Sequence, residues 1–258
     1  MSCEEQISWD LHNGNTASVV VDGIITDELK TQTLTIAKPI STVNLQAEAV
    51  SGATVLVSTD EFVYTFRESK TALGTYVSDI PFAGIVGKTY SLLITYGKNT
   101  YSAKAMLLAP QAFGFLTYQK NTEDQKYRIT GVAQSYNPLN PAMYEIYLDW
   151  SAAPGYENAN PDSCKAYLYY YTLPTIDVSE VFAPNLEKIN FPAGTTITER
   201  RFSLTNEHAA FVRALLLETT WQGGFFNTAS ANVPTNLSEG AAGFFGACGV
   251  VEMVETVK

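Results

Sequence analysis

From residue 18 onward, apolar positions alternate with polar ones in short runs, and Gly, Pro, Asn and Asp break the runs about every ten residues. That spacing fits a sandwich of short strands better than alternating strands and helices. It predicts strands over 18–25, 31–37, 53–58, 62–67, 74–77, 89–96 and 99–107. In the sixth run Tyr90, Leu92, Ile94 and Tyr96 share one face, and Tyr101, Ala103 and Ala105 do the same in the seventh. Between them Gly97-Lys98 suits a two-residue type II′ hairpin, because Gly takes the positive φ of the first central position.

Around Leu108-Ala109-Pro110 the alternation loosens, and longer polar loops follow at 137–141 and 154–161. A boundary there divides the chain into a polar tether over 1–17, a β-sandwich over 18–109 and a second antiparallel β-rich domain over 110–258. The second domain is expected to hold strands over 126–132, 143–150, 165–172, 195–204 and 248–257. One helix, 206–219, interrupts them. Asn206 can cap it, Glu207 suits its positive end, and 209–219 contains no Gly or Pro. Phe211, Val212, Leu215, Leu216 and Leu217 spread around the helix, so it is expected to pack on a sheet on more than one side. Tyr167, Tyr169 and Tyr171 fall on one face of a strand and Tyr170 on the other, a pattern read as ordinary sheet packing.

Composition agrees with two folded, mainly β units. A length of 258 residues exceeds the usual single domain, and 46% hydrophobic against 16% charged residues supplies apolar surface for real cores. The 15 Tyr and 13 Phe favour strands, where aromatic side chains pack on a pleated surface. A net charge of −10 with no basic stripe repels a phosphate backbone, which argues against nucleic-acid binding. The longest apolar stretch, 209–217, is too short to span a bilayer and carries Arg213.

The chemistry-bearing residues are few. Cys3 follows the small Ser2 and precedes Glu4, Glu5 and a polar stretch, as in a lipoprotein trimmed just before its lipid-bearing cysteine; an incidental cysteine fits the same residues. Cys164 and Cys248 would close a loop worth about 4 kcal/mol if bridged, and equally fit two buried free thiols. The two His residues, His12 and His208, sit in no recognisable motif, and no nucleophile elbow, zinc helix, phosphate-binding loop or Cys-x-x-Cys pair is present. No cofactor or metal site is expected. The acidic pairs Asp60-Glu61 and Glu123-Asp124 read as solvated loop charge, and Glu145 and Asp149 are placed on opposite faces of their strand. Ligand contacts are assigned to Trp150, Tyr156, Trp221, Phe225 and Phe226, at strand or helix ends and in loops where binding groups are commonly mounted; core or rim packing is the alternative.

The runs Val19-Val-Val-Asp-Gly-Ile-Ile25, Ser51-Gly-Ala-Thr-Val55, Gly74-Thr-Tyr76, Gly87-Lys-Thr-Tyr90 and Lys98-Asn-Thr-Tyr-Ser-Ala103 resemble the first domain of a Bacteroidota lipoprotein family classed as a domain of unknown function. Val233-Pro-Thr-Asn-Leu237 and Gly240-Ala-Ala-Gly-Phe-Phe-Gly-Ala247 are similar to that family's tail, so the resemblance covers nearly the whole chain. It implies an immunoglobulin-like or transthyretin-like first domain and a lipid on Cys3. It also implies an outer-membrane lipoprotein, its face of the membrane left open, that often accompanies a TonB-dependent receptor. Contact with the membrane is then through the lipid alone, and a glycan or other small ligand is a further expected partner. The leading expectation is a non-enzymatic binding or accessory protein; a structural or adhesive surface module and a carboxylate-based glycan-active enzyme are the alternatives.

Overall fold

The computed structural model describes residues 17–40, 47–132, 139–173, 189–219 and 233–258. The protein is mainly β, with several multi-stranded sheets and a single helix among these residues. Seven strands follow the alternating runs of the first segment closely: β1 (Val19–Thr26), β2 (Thr33–Ala37), β3 (Thr54–Ser58), β4 (Val63–Glu68), β5 (Thr75–Ser78), β6 (Thr89–Tyr96) and β7 (Asn99–Met106). Tyr90, Leu92 and Ile94 of β6, with Tyr101 and Ala103 of β7, point into the core, while Tyr96 packs at its margin. Gly97 has φ 61° and Lys98 is not left-handed, which is the type II′ hairpin the sequence predicts.

The second segment contributes a hairpin of β8 (Thr117–Lys120) and β9 (Tyr127–Gly131), then β10 (Ala142–Asp149), a 3-10 turn at Pro161–Cys164, β11 (Lys165–Thr172) and β12 (Thr196–Ser203). Helix α1 (Asn206–Thr219), β13 (Ala241–Cys248) and β14 (Val250–Thr256) complete the chain. The short β8 is not visible as an alternating run. Residues 248–257, expected as one strand, are divided at Gly249 between two sheets.

That division organises the molecule. β13 pairs in parallel with β1 along its whole length, Val19 opposite Ala241 through Thr26 opposite Cys248. The resulting eight-stranded sheet runs β13-β1-β2-β5-β4-β3-β6-β7. Its two edges meet. Ser102 and Ser238 exchange hydrogen bonds, and the Asn236 side chain donates to the carbonyls of Lys104 and Phe245 while accepting from the Phe245 N–H. Inside lie Val21, Ile36, Val57, Tyr76, Tyr90 and Phe245 among others, all buried. One residue past Cys248 the chain enters β14, the edge of a four-stranded antiparallel sheet ordered β11-β10-β12-β14. The β8-β9 hairpin and Phe191 cover one face of that sheet and enclose the second core, built on Tyr144, Ile146, Leu148, Leu168 and Ile197.

Helix α1 bridges the two sheets. His208, Ala209 and Val212 are buried, the His208 and Phe211 rings stack on Phe244 of β13, and Ala209 and Val212 share a core with Phe202 of β12. Leu215 on the opposite side is exposed, so the helix buries a stripe and is not enclosed all round. The cap also differs from expectation. Thr205, one residue before Asn206, supplies the capping oxygen, accepting the His208 N–H at 3.2 Å.

The parallel pairing of β13 demands close backbone approach at Gly243. Its φ is +91°, and a Cβ there would lie 2.0 Å from the Val21 carbonyl oxygen. Gly243→Ala is therefore expected to cost about 3 kcal/mol or more through strain and displacement of β1. Urea unfolding followed by fluorescence measures it, and a loss below about 1 kcal/mol would show that the β1-β13 pairing tolerates a side chain.

Candidate functional site

The face of the four-stranded sheet turned away from the second core carries the most exposed aromatic surface of that sheet. Odd-numbered residues of β10 and β11 and even-numbered residues of β12 and β14 point to it, as strand alternation requires. The pairing register then sets side chains in rows across the strands. One row holds Tyr167, Tyr147, Thr198 and Val254; the next holds Tyr169, Glu145, Arg200 and Glu252. Tyr167 and Tyr147 stack with ring centroids 4.5 Å apart. Tyr167 is 66% exposed and Tyr169 58%, values far from those of packed rings. Tyr171 on the same strand is half-buried in the core beneath α1. The reading of these tyrosines as ordinary packing thus holds for Tyr171 and fails for Tyr167 and Tyr169. Strand alternation made all three equivalent; only the place of α1 separates them.

Polar groups around the rings are held in fixed positions. The Tyr147 hydroxyl donates to Asp149 Oδ2 at 3.0 Å; desolvation and this carboxylate push the phenol up to about 12. Asp149 also accepts from the hydroxyl and N–H of Ser151, which with Tyr147 hold its carboxyl below the usual range. Glu145 and Asp149 lie on the same face, as residues four apart on a strand must, which corrects the expectation of opposite faces. They do not form a catalytic acid–base pair. Glu145 is bonded at 2.6 Å to Arg200, whose other nitrogen grips Glu28 of the first sheet at 2.6 and 2.7 Å. Although desolvation pushes Glu28 upward, Lys30 and Arg200 together hold its carboxyl below the usual range.

Buried titratable groups also lie outside this face. Glu199 of β12 points into the second core, fully buried; one carboxyl oxygen accepts the Leu116 N–H at 2.9 Å and the other has no partner among the described residues. Its neighbour on that face, Arg201, is turned to the Tyr144 hydroxyl, Ser203 and the Gln111 and Asn140 carbonyls. Desolvation pushes Glu199 up to about 7. Between α1 and β13, Cys248 Sγ lies 3.8 Å from His208 Nδ1. A thiolate–imidazolium pair would be a nucleophile, but burial pushes the thiol up to about 12 and the imidazole down to about 4. Both groups are neutral near pH 7, and the pair is a packed contact of the core.

The other residues singled out from the sequence are placed as follows. Trp150 is half-buried against the second core, its N–H donating to the Cys164 carbonyl, and Tyr156 is half-buried in the turns that follow. Cys3, His12, Trp221, Phe225 and Phe226 lie outside the described residues. Cys164 and Cys248 are free, which corrects the weighed disulfide. Cys164 adjoins the Asp149–Lys165 end of the four-stranded sheet, and Cys248 adjoins the Ala142–Ser203 end, an eight-residue strand away. That is roughly 20 Å, against a Cα separation of about 7 Å or less for a bridge. A cavity of about 280 Å³ opens between β7, β13 and the start of α1, lined by Lys104, Met106, Asn206, Glu207 and Phe244; neither Trp150 nor Tyr156 borders it. The Lys88 ammonium sits between Asp60 and Glu61 at 2.9 and 2.8 Å, so a cation already occupies that acidic pair. No group of three metal-ligating side chains occurs among the described residues, and no helix among them is long and apolar enough to cross a membrane.

Fold and site together define a mainly β protein whose eight-stranded and four-stranded sheets are joined through one helix and the passage from β13 to β14, with a tyrosine-bearing open sheet face. The family described as a domain of unknown function, DUF4249, matches residues 4–253, and the chain belongs to it. No curated protein matches the sequence.

The buried acid and the buried imidazole make stability depend on pH in opposite senses. Above pH 4.5 the unfolded chain releases the Glu199 proton, whereas the folded chain keeps it to about 7, so stability from this group falls as pH rises through that window. Below pH 6.5 the unfolded imidazole gains a proton that His208 refuses down to about 4, so stability falls as pH drops through that window. Each contributes up to about 3 kcal/mol, at about 1.4 kcal/mol per pH unit. The two slopes cancel between about pH 4.5 and 6.5, so unfolding free energy is expected to be level there and to fall from about pH 6.5 to 7, and Glu199→Gln to replace this profile by a rise up to about pH 6.5 with no fall above it. An unchanged profile in that variant would remove Glu199 as its cause.

Proposed function

We propose that this protein is a non-enzymatic binding component of the bacterial cell envelope, a lipoprotein anchored through Cys3 that works beside a TonB-dependent outer-membrane receptor. The observation that carries the binding role is the pair Tyr167 and Tyr169, solvated on a rigid sheet face. Large aromatic side chains left exposed together mark interaction surfaces, because burying them on a partner recovers apolar area at little cost in side-chain freedom. The other groups favour binding over catalysis. Glu145 is tied to Arg200, Asp149 to Ser151 and Tyr147, and Cys248 and His208 are neutral and enclosed. The placement in the envelope and beside a receptor draws on the family resemblance.

Tyr167→Ala/Tyr169→Ala is expected to leave the melting temperature within about 2 °C, since both rings are solvated, and to lower recovery of the neighbouring receptor in co-purification at least tenfold. Unchanged recovery with the double variant would refute the assignment of this face. For the anchor, Cys3→Ala in the native producing cells is expected to abolish incorporation of labelled fatty acid and to release the protein from the membrane fraction.

A further inference from the structure

We propose that β11 is an open sheet edge that receives an extended strand of a partner protein, and that the partner strand carries Arg or Lys at alternate positions. This rests on the reading of the Tyr167–Tyr169 face as a binding surface, and specifies how that surface is engaged and by what.

The hydrogen-bond ladder supplies the first argument. β11 is the terminal strand of its sheet, and no described strand lies on its outer side. In an antiparallel pair, every second residue turns its N–H and C=O away from the neighbour, so along β11 the outward donors and acceptors have no strand partner among the described residues. Such rows template the pairing of another chain, and proteins ordinarily blunt them with proline, a bulge, inward charge or a covering segment. The edges of the eight-stranded sheet and the far edge of this one are treated that way. Residues 236–238 tie β7 to β13 across the first sheet. β14 carries Glu252 beside Arg200 and Glu255, which accepts the Tyr118 hydroxyl. Among the described residues β11 has none of these guards. Its sequence Lys-Ala-Tyr-Leu-Tyr-Tyr-Tyr-Thr contains no proline and no charge beyond its first residue, and its register with β10 is unbroken from Thr172 to Lys165.

Side chains and charge supply the second argument. A strand laid beside β11 would set its alternate residues against the free side of Tyr167 and against Tyr169, whose neighbours on the sheet are Tyr147, Asp149 and Glu145. Arg and Lys stack on such rings and find carboxylates within reach. Two cations stand on that face: Arg200, already bonded to Glu28 and Glu145, and Lys165 at the end of β11, opposite Asp149 and 4.0 Å from Asp162. The chain's net charge of −10 opposes a second copy as the occupant and favours a basic segment.

The test uses the full chain and two capped ten-residue peptides, one alternating Arg with Val and one alternating Glu with Val. The Arg peptide is expected to bind, to slow amide hydrogen exchange at residues 165–172, and to lose at least tenfold in affinity with Tyr167→Ala/Tyr169→Ala; Val63→Ala, at an exposed position of β4 in the first sheet, should bind as the wild type does. Absence of binding by the Arg peptide, or protection falling on β14 in place of β11, would overturn strand addition at β11. Equal binding by the Glu peptide would overturn the basic character of the partner. If the tyrosine variant loses the receptor in co-purification while the Arg peptide neither binds nor protects β11, the binding face stands and strand addition falls; if the variant keeps the receptor as well, both fall.

Discussion

The architecture depends on the passage of the chain through Gly249. Cys248 ends the strand that closes the first sheet and Val250 begins the edge of the second, so one residue joins two layers. Backbone and side-chain bonds pin it from both sides. The Gly249 N–H donates to the Leu108 carbonyl, its own carbonyl accepts from Ser203 of β12, and the Val250 N–H donates to Asp27 beside β1. A Cβ at this position would stand 2.4 Å from the Pro110 nitrogen and 2.6 Å from the Leu108 oxygen, so only glycine fits without displacing the joint. Because β13 and β14 are fixed relative to one another, the sheets they belong to cannot turn independently at this point.

The Arg200 cluster reinforces the same joint through side chains. Its guanidinium lies over the Phe202 ring and bonds Glu28 from the first unit and Glu145 from the second, in a site only about a quarter exposed. An isolated surface ion pair would contribute little. Here one cation meets carboxylates from two sheets in a partly dry setting, where losing it would leave Glu145 close to a Glu28 held by Lys30 alone. The tyrosine face extends the same rows of side chains, so on the proposed binding role a partner would meet a backbone that this joint already holds.

Much of this was legible in the sequence. Alternation placed β1 to β7 within one or two residues, and the Gly97-Lys98 hairpin was readable because glycine's positive φ is a local requirement. β13 was not readable as a strand of the first sheet. Its residues Ala-Ala-Gly-Phe-Phe-Gly-Ala-Cys lack a period of two, and its partner β1 lies at the other end of the chain, so no local signal announces the pairing. The site divides the same way. Tyr167, Tyr169 and Tyr171 are equivalent in sequence, and exposure separates them only once α1 covers one end of the sheet. Nor could β11 be known as an edge before the strand order was known.

The charge distribution links these features. Of the basic residues, Lys30, Lys38, Arg67, Lys88 and Arg200 are engaged with nearby carboxylates, and Arg201 is buried. Cations thus serve largely to hold strands and loops together, and the surface they leave is dominated by unmatched acid. An acidic surface repels copies of itself and anionic polymers alike, and it draws in basic segments over the range set by ionic screening. An unguarded strand edge is a hazard in a neutral protein, because any exposed strand can join it. If β11 binds as proposed, the field of the whole molecule would narrow what can approach, and the short-range ladder with the two tyrosine rings would decide what stays. Selectivity of that kind requires no enclosed pocket at the tyrosine face, which agrees with the open character of that sheet surface.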